Sequence, residues 1–230
     1  MDRRQESAPR GSGHNADTSA RLQVRDLECV RGERCLFQAL SFELVPGQCL
    51  HIAGDNGAGK TSLLRILAGL LAPTHGSVRW RGRDIVRSRE EYGAELAFVG
   101  HLNGIKDDLT VSENVQLAAA VRGADTGVDA ARAALRQLQL EEYADVFVRH
   151  LSQGQKRRVA LARLCTAAPA TLWILDEPFN ALDVGSVAVL QALVEARLAG
   201  GGIVVLTAHQ QIELPAGTRR LELSAEVPAW

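Results

Sequence analysis

The stretch Gly54-Asp55-Asn56-Gly57-Ala58-Gly59-Lys60-Thr61 narrows the fold more than any other part of this chain. It fits the phosphate-binding pattern G-x-x-x-x-G-K-[ST]. The apolar run Cys49-Leu50-His51-Ile52-Ala53 leads in and reads as a buried strand. The run from Ser62 to Leu71 leads out with apolar residues at helical spacing. Glycines let the backbone curl until several N–H groups point at one centre, and the helix N-terminus adds partial positive charge. Lys60 then reaches the β- and γ-phosphates, and the Thr61 hydroxyl suits Mg²⁺. The chain has three lysines (Lys60, Lys106 and Lys156), and one stands where phosphates need it.

Size and composition limit the rest. At 230 residues the chain can bury one good core, or form two small domains. A net charge of −1 gives no global field toward nucleic acid or an anionic membrane. Cys29, Cys35, Cys49 and Cys165 show no C-x-x-C spacing. Three of them, Cys29, Cys49 and Cys165, sit in apolar patterns, which suits small buried hydrophobes in a reducing compartment. No run of eighteen apolar residues is present, so no membrane span is expected. The N-terminus lacks an apolar signal core, so secretion is not expected.

Residues 1–19 carry almost no apolar side chains and read as a disordered tail. Strands are predicted around Leu22–Leu27 and Cys35–Val45, with a turn at Pro46-Gly47. After Pro73, Ser77–Ile85 resembles a small hairpin in which Trp80 serves packing, and Glu95–Val99 reads as a further strand. From 102 to 151 the pattern turns helical. Thr110-Val111-Ser112-Glu113 resembles a capping box, and Asp129 is placed as the cap of a helix running to Leu140. Ser152 opens another helix to about Ala167. Thr171–Leu175 is an unbroken apolar run ending at Asp176-Glu177. A helix over about 184–198 and a strand at Ile203–Leu206 follow. Strands alternating with helices imply an α/β fold around a largely parallel sheet. Ligands bind at the carboxyl ends of such strands. The phosphate loop, Asp176-Glu177 and Thr207-Ala208-His209 each follow an apolar strand, so all three can meet there.

The residue types suit nucleotide hydrolysis. Asp176 at a strand end is the candidate Mg²⁺ ligand. Glu177 is the candidate base or water-positioner. His209 can contact the γ-phosphate or orient Glu177. Leu151-Ser152-Gln153-Gly154-Gln155 opens a helix with a Ser cap and a Gly, a second N-terminus suited to an anion. A head-to-tail dimer uses two such termini, whereas an ordinary capped helix needs no ligand.

Loop 54–61, Leu151–Gln155, Leu172–Glu177, Asn180-Ala181-Leu182-Asp183 and His209 stand in the order and spacing of ATP-binding cassette (ABC) ATPases, which residues 21–214 resemble. Within that family the chain is similar to the ATP-binding subunit of the cytochrome c maturation haem exporter. The cues are Leu27–Arg31, Asn56–Leu70, Gly100-His101 before Gly104-Ile105-Lys106, and Gln155–Leu164. The resemblance implies a P-loop NTPase (RecA-like) core with an antiparallel β subdomain and an inserted all-helical subdomain. Its boundaries would be 20–230 for the domain, with core 20–101 and 152–230 around a helical part at about 102–151.

The resemblance also implies roles. Gly54, Asp55, Asn56, Gly57, Ala58, Gly59, Lys60, Thr61 and Ser62 would hold ATP. Thr61 and Asp176 would hold Mg²⁺, Glu177 would activate water, and His209 would sense the γ-phosphate. Ser152, Gly154 and Gln155 would clamp the nucleotide of a second copy, with Asp183 at the seam. Three positions depart from the common pattern. Gln153 replaces the first Gly of Leu-Ser-Gly-Gly-Gln. Arg31 stands where an aromatic stacks on adenine, and guanidinium can stack. His101 stands where most members have Gln, as its branch would, and an imidazole changes charge near neutral pH. The implied partners are a second copy and integral membrane subunits at the cytoplasmic face of a bacterial inner membrane, with no nucleic acid. The implied work is haem export for cytochrome c assembly, or export of another cargo such as a lipid or small molecule.

Overall fold

The structure is a computed structural model, and it describes residues 21–123, 127–166, 171–208 and 212–224. Five parallel strands form its central layer. They are β3 (Cys49–Gly54), β6 (Leu96–Val99), β7 (Leu172–Leu175), β8 (Ile203–Thr207) and β9 (Arg219–Leu223), in the order β6-β7-β8-β3-β9. Successive side chains of a strand face opposite ways. On β7, Leu172 and Ile174 join one core cluster while Trp173 and Leu175 join the other. Ile203 and Val205 of β8 part from Val204 and Leu206 in the same way. Both sheet faces are therefore covered, which explains why these strands read as continuous apolar runs.

A second sheet is antiparallel. It contains β1 (Leu22–Arg31), β2 (Arg34–Leu44), β4 (His75–Trp80) and β5 (Arg83–Asp84), ordered β2-β1-β4-β5. Its apolar residues Leu22, Val24, Leu27 and Val78 share a core with Leu63, Leu64, Ile66 and Leu67 of helix α1 (Lys60–Leu67). Trp80 is buried there beside Tyr92, ring centroids 6.3 Å apart, in the packing role its sequence position suggests. The opposite core contains the helical stretch. Its members are α3 (Val111–Ala120), α4 (Val128–Gln137), two short 3₁₀ turns at Glu141–Tyr143 and Val148–His150, then α5 (Gln153–Cys165) and α6 (Val184–Ala199).

Several local expectations change. Helix α1 stops at Leu67 rather than Leu71. Gly69 takes a φ of 70°, and Leu70 N–H bonds the Arg65 carbonyl, which closes the helix in a Schellman turn. Asp129 lies inside the first turn of α4, and Gly127 is the cap. That helix ends at Gln137, because Gln139 is left-handed and Leu140 N–H returns to the Leu135 carbonyl. The Thr110 capping box is present, with the Glu113 carboxylate accepting Thr110 N–H at 2.7 Å. Helix α2 (Arg89–Glu95) and strand β9 add to the expected elements.

Candidate active site

Strands β7, β8 and β3 are neighbours and run parallel, so their carboxyl ends lie side by side. From the end of β3 the chain enters the loop before α1. Gly54 has a φ of 138°, and a Cβ there would sit 2.2 Å from the Leu223 carbonyl oxygen, so no side chain fits. Lys60 is buried, and its Nζ donates to the Gly54 and Asp55 carbonyls at 2.6 and 2.9 Å. A cavity of about 220 Å³ opens over this loop, lined by Leu36, Asn56, Gly57, Gly59, Lys60, Thr61, Ser62 and Glu177. The loop and Glu177, far apart in sequence, therefore share one space.

Asp176 is 2% exposed. Its Oδ1 accepts from the Thr207 hydroxyl at 2.9 Å, and its Oδ2 is buried with no hydrogen-bond partner among the described residues. A buried anionic oxygen without a donor is costly, and a cation removes that cost. The carboxylate at the end of β7 and the Thr61 hydroxyl of the phosphate loop are the hard oxygen donors Mg²⁺ prefers, so the residues present fit that ion. Thr207 also accepts the Glu177 N–H at 2.8 Å, and one hydroxyl thus fixes both acids. Glu177 has a φ of 47°, uncommon for a residue with a side chain, and the hydrogen bonds around it hold that strain. Its Oε2 accepts from the Asn180 amide and lies 3.8 Å from His101 Nδ1. The imidazole itself is mostly exposed.

A second, smaller concavity gathers Ser152, Gly154, Gln155, Asp183 and Arg158. It shares no lining residue with the first. Ser152 caps α5: its hydroxyl accepts Gln155 N–H at 3.2 Å, and the Gln155 amide oxygen accepts Ser152 N–H at 2.8 Å. A Cβ on Gly154 would lie 2.8 Å from the Ala181 carbonyl oxygen, so only glycine lets α5 approach the 180–183 segment. Asp183 caps α6 by accepting Ser186 N–H at 2.7 Å, and that bond holds its carboxyl below the usual range.

Within one chain, Asn56, Gly57 and Gly59 to Ser62 share a cavity with Glu177; Asp176 is tied to Glu177 through Thr207, and His101 stands near the Glu177 carboxylate. Ser152, Gly154, Gln155 and Asp183 form their own group. Arg31 is exposed at the end of β1; burial pushes the Cys29 thiol up, and the Arg31 guanidinium opposes that shift. His209 lies outside the described residues. Sequence reasoning placed Thr207 among the converging strand ends but gave it no role of its own; its hydroxyl buttresses both acids. Arg157 and Arg34 were passed over. Arg157 threads between site segments. Arg34 brings Nη1 to 3.8 Å from the point where a Cβ on Gly57 would stand. Arg34 opens β2, and nothing local in the sequence marks it as reaching the loop.

A parallel sheet with a phosphate loop after one strand and an acidic pair after its neighbour but one defines a P-loop nucleotide-binding protein. The family model described as ABC transporter matches residues 37–180. The cytochrome c biogenesis ATP-binding export protein CcmA of Dechloromonas aromatica is 50% identical over 86% of this chain and 97% of its own length. The CcmA of Methylococcus capsulatus is 46% identical over 90% of this chain and 100% of its own. The Yersinia pestis CcmA is 50% identical over 83% and 87%. A solved Pyrococcus furiosus chain described as an ABC transporter ATP-binding protein superimposes with a TM-score of 0.74 at 22% identity, covering 88% of this chain and 97% of that one, a likeness of fold. The chain belongs to the ABC transporter ATP-binding family, in the group of the CcmA proteins of cytochrome c biogenesis. As a member of that family it is an ATPase subunit.

Proposed function

We propose that this chain hydrolyses ATP at a site completed by a second copy, and that the work drives haem export for cytochrome c assembly. The observation that carries the hydrolytic reading is the shared cavity of Glu177 and the phosphate loop. In the first step Lys60 Nζ exchanges the Gly54 and Asp55 carbonyls for phosphate oxygens, while N–H groups of 54–62 receive the remaining negative charge. Thr61 and Asp176 would hold Mg²⁺, which would neutralise phosphate charge when bound. Glu177, fixed through Thr207 and Asn180, orients water for attack on the γ-phosphorus. His101 Nδ1 stands 3.8 Å from Glu177 Oε2, at the edge of the site, and His209 is the candidate contact to the γ-phosphate. Arg31 is offered to adenine by its exposure.

The second concavity supports the dimer. It holds a helix N-terminus suited to an anion yet lies apart from the phosphate loop. In a head-to-tail pair, Ser152, Gly154 and Gln155 of one copy would meet the nucleotide of the other, with Asp183 at the seam.

Membrane subunits follow from membership in a transporter family. No helix among the described residues is long and apolar enough to cross a membrane. A groove of about 760 Å³ suits a segment of such a partner. Leu70, Leu117 and Val121 give it an exposed apolar rim, while Lys106, Arg122 and Arg163 give it charge. Gly104 and Lys106 line the groove, a few residues from His101, so a partner seated there leans on the segment that meets Glu177. The place of work would be the cytoplasmic face of the inner membrane. A gene deletion tests the cargo. Loss of periplasmic c-type cytochromes with b-type retained, restored by the wild-type gene and not by Glu177→Gln, is the expected result. Normal c-type haem staining in the deletion strain would favour another cargo, a lipid or small molecule.

A further inference from the structure

Arg157 lies one helical turn beyond Gly154, so both residues share the face of α5 that packs on the 176–181 segment. Its side chain is almost fully buried. The guanidinium makes five hydrogen bonds: Nη2 to the Asp176 and Glu177 carbonyls at 2.9 and 2.8 Å, Nη1 to the Gly100 carbonyl and Asn103 Oδ1 at 2.9 and 3.1 Å, and Nε to the Pro178 carbonyl at 3.4 Å. These acceptors belong to two separate segments. One carries Asp176 and Glu177; the other flanks His101. Each acceptor but Asn103 is a backbone carbonyl, so the arrangement fixes main chain rather than one side chain.

No other side chain can do this. Arg offers five N–H donors in a rigid plane, while Gln offers two and Lys gathers its three at one point. Burial lowers the Arg157 pKa, and the carboxylates of Asp176 and Glu177 oppose that shift. The group stays charged, and its bonds are the strong charge-assisted kind. Neighbouring Lys156 and Arg158 take other directions. Lys156 Nζ pairs with Asp107 Oδ1 at 2.8 Å, and Arg158 donates to the Leu138 and Gln139 carbonyls.

We infer that Arg157 is a positioning residue that ties the 100–103 segment to the 176–178 segment and sets Glu177 for its reaction with water. This rests on the reading of Glu177 as the residue that orients water. Movement of α5, or of the 100–106 loop beneath the groove, then reaches Glu177 through one guanidinium. A displacement of about 1 Å at a reacting group costs roughly 100-fold in rate, so a loosened tie acts on turnover and not on ATP binding.

The test uses the full chain isolated in detergent with its native membrane complex. Arg157→Gln is expected to lower kcat about 30-fold, while the KM for ATP and the Kd for a fluorescent ATP analogue stay within about twofold. Arg157→Lys is expected to recover part of the loss. Asn103→Ala, which removes one of the five bonds, is expected to lower kcat about threefold, and the double variant should be no slower than Arg157→Gln alone. Wild-type kcat in folded Arg157→Gln overturns the inference, and so does a parallel loss of turnover and ATP affinity. Fully additive losses in the double variant also overturn it. Where Arg157→Gln does not fold, wild-type turnover in both Arg157→Lys and Asn103→Ala does the same. Glu177→Gln is the control. Hydrolysis retained there removes the role of Glu177 itself, whereas normal Arg157→Gln beside an inactive Glu177→Gln removes only the tie.

Discussion

Helices α3 and α5 begin alike and differ in charge. Both open with a capping box, Thr110 with Glu113 in one and Ser152 with Gln155 in the other. Glu113 places a carboxylate against the positive end of α3, while the first turn of α5 carries no acid. The distinction extends across the molecule. Helix α2 has Glu90 and Glu91 in its first turn, α4 has Asp129, and α6 is capped by Asp183. Among the α-helices of the described residues, only α1 and α5 lack an acid at both cap and first turn. A helix N-terminus is stabilised by negative charge. Two ends left without it are open to negative charge from elsewhere, and those are the ends assigned to the two sides of a nucleotide.

Substitutions can break this contrast. The largest effects belong to α1 and the acidic pair. Lys60→Ala should weaken ATP binding at least about 100-fold by removing the ammonium from the phosphates, read by equilibrium titration. Glu177→Gln should keep ATP binding and lower turnover by about 100-fold or more. Gly154→Asp comes next: its Cβ meets the Ala181 carbonyl, and its charge occupies the α5 terminus. Turnover should fall about 30-fold while the affinity of the single chain for ATP is kept.

Gln155→Glu sharpens the comparison, because it makes α5 resemble α3. The helix should gain about 0.3–1 kcal/mol from its dipole, seen as a raised denaturation midpoint, while turnover falls about fivefold through repulsion of the partner's nucleotide. Thr110→Ala, on the ordinary helix, should cost about 1 kcal/mol of stability and leave turnover unchanged.

The smallest effect is a pH slope near β3. Burial lowers the pKa of His51 from 6.5. The unfolded chain then takes up a proton before the folded one does. Stability from this residue is full above pH 6.5 and declines as pH falls below it. His51→Gln should flatten that slope in thermal unfolding between pH 5 and 7, a window bracketing the ordinary His pKa of about 6.5.

Much of this was legible in the sequence because the signals are local. The phosphate loop, the runs at 172–175 and 203–207, and the Thr110 and Ser152 caps each contain their own cause. Elements set by contacts distant in sequence were not legible. Helix α2 buries Tyr92 alone among its seven residues, so it has no apolar period to read. Strand β9, Arg219-Arg220-Leu221-Glu222-Leu223, is recruited at a sheet edge by β3. Arg157 sits in the run Lys156-Arg157-Arg158, where nothing local distinguishes the one that turns inward. Of the site, the phosphate loop and acidic pair could be read from residue type and order. The Thr207 hydroxyl between the two acids depends on the adjacency of β7 and β8.

On this reading one chain carries two halves of different sites, each completed by a second copy. Light scattering of Glu177→Gln, with and without ATP and Mg²⁺, tests it most directly. The chain has a mass of 24.8 kDa. This mass is expected without nucleotide and twice it with ATP, with the doubling lost when Gly154→Asp is added. A mass that stays at 24.8 kDa with ATP bound would contradict it.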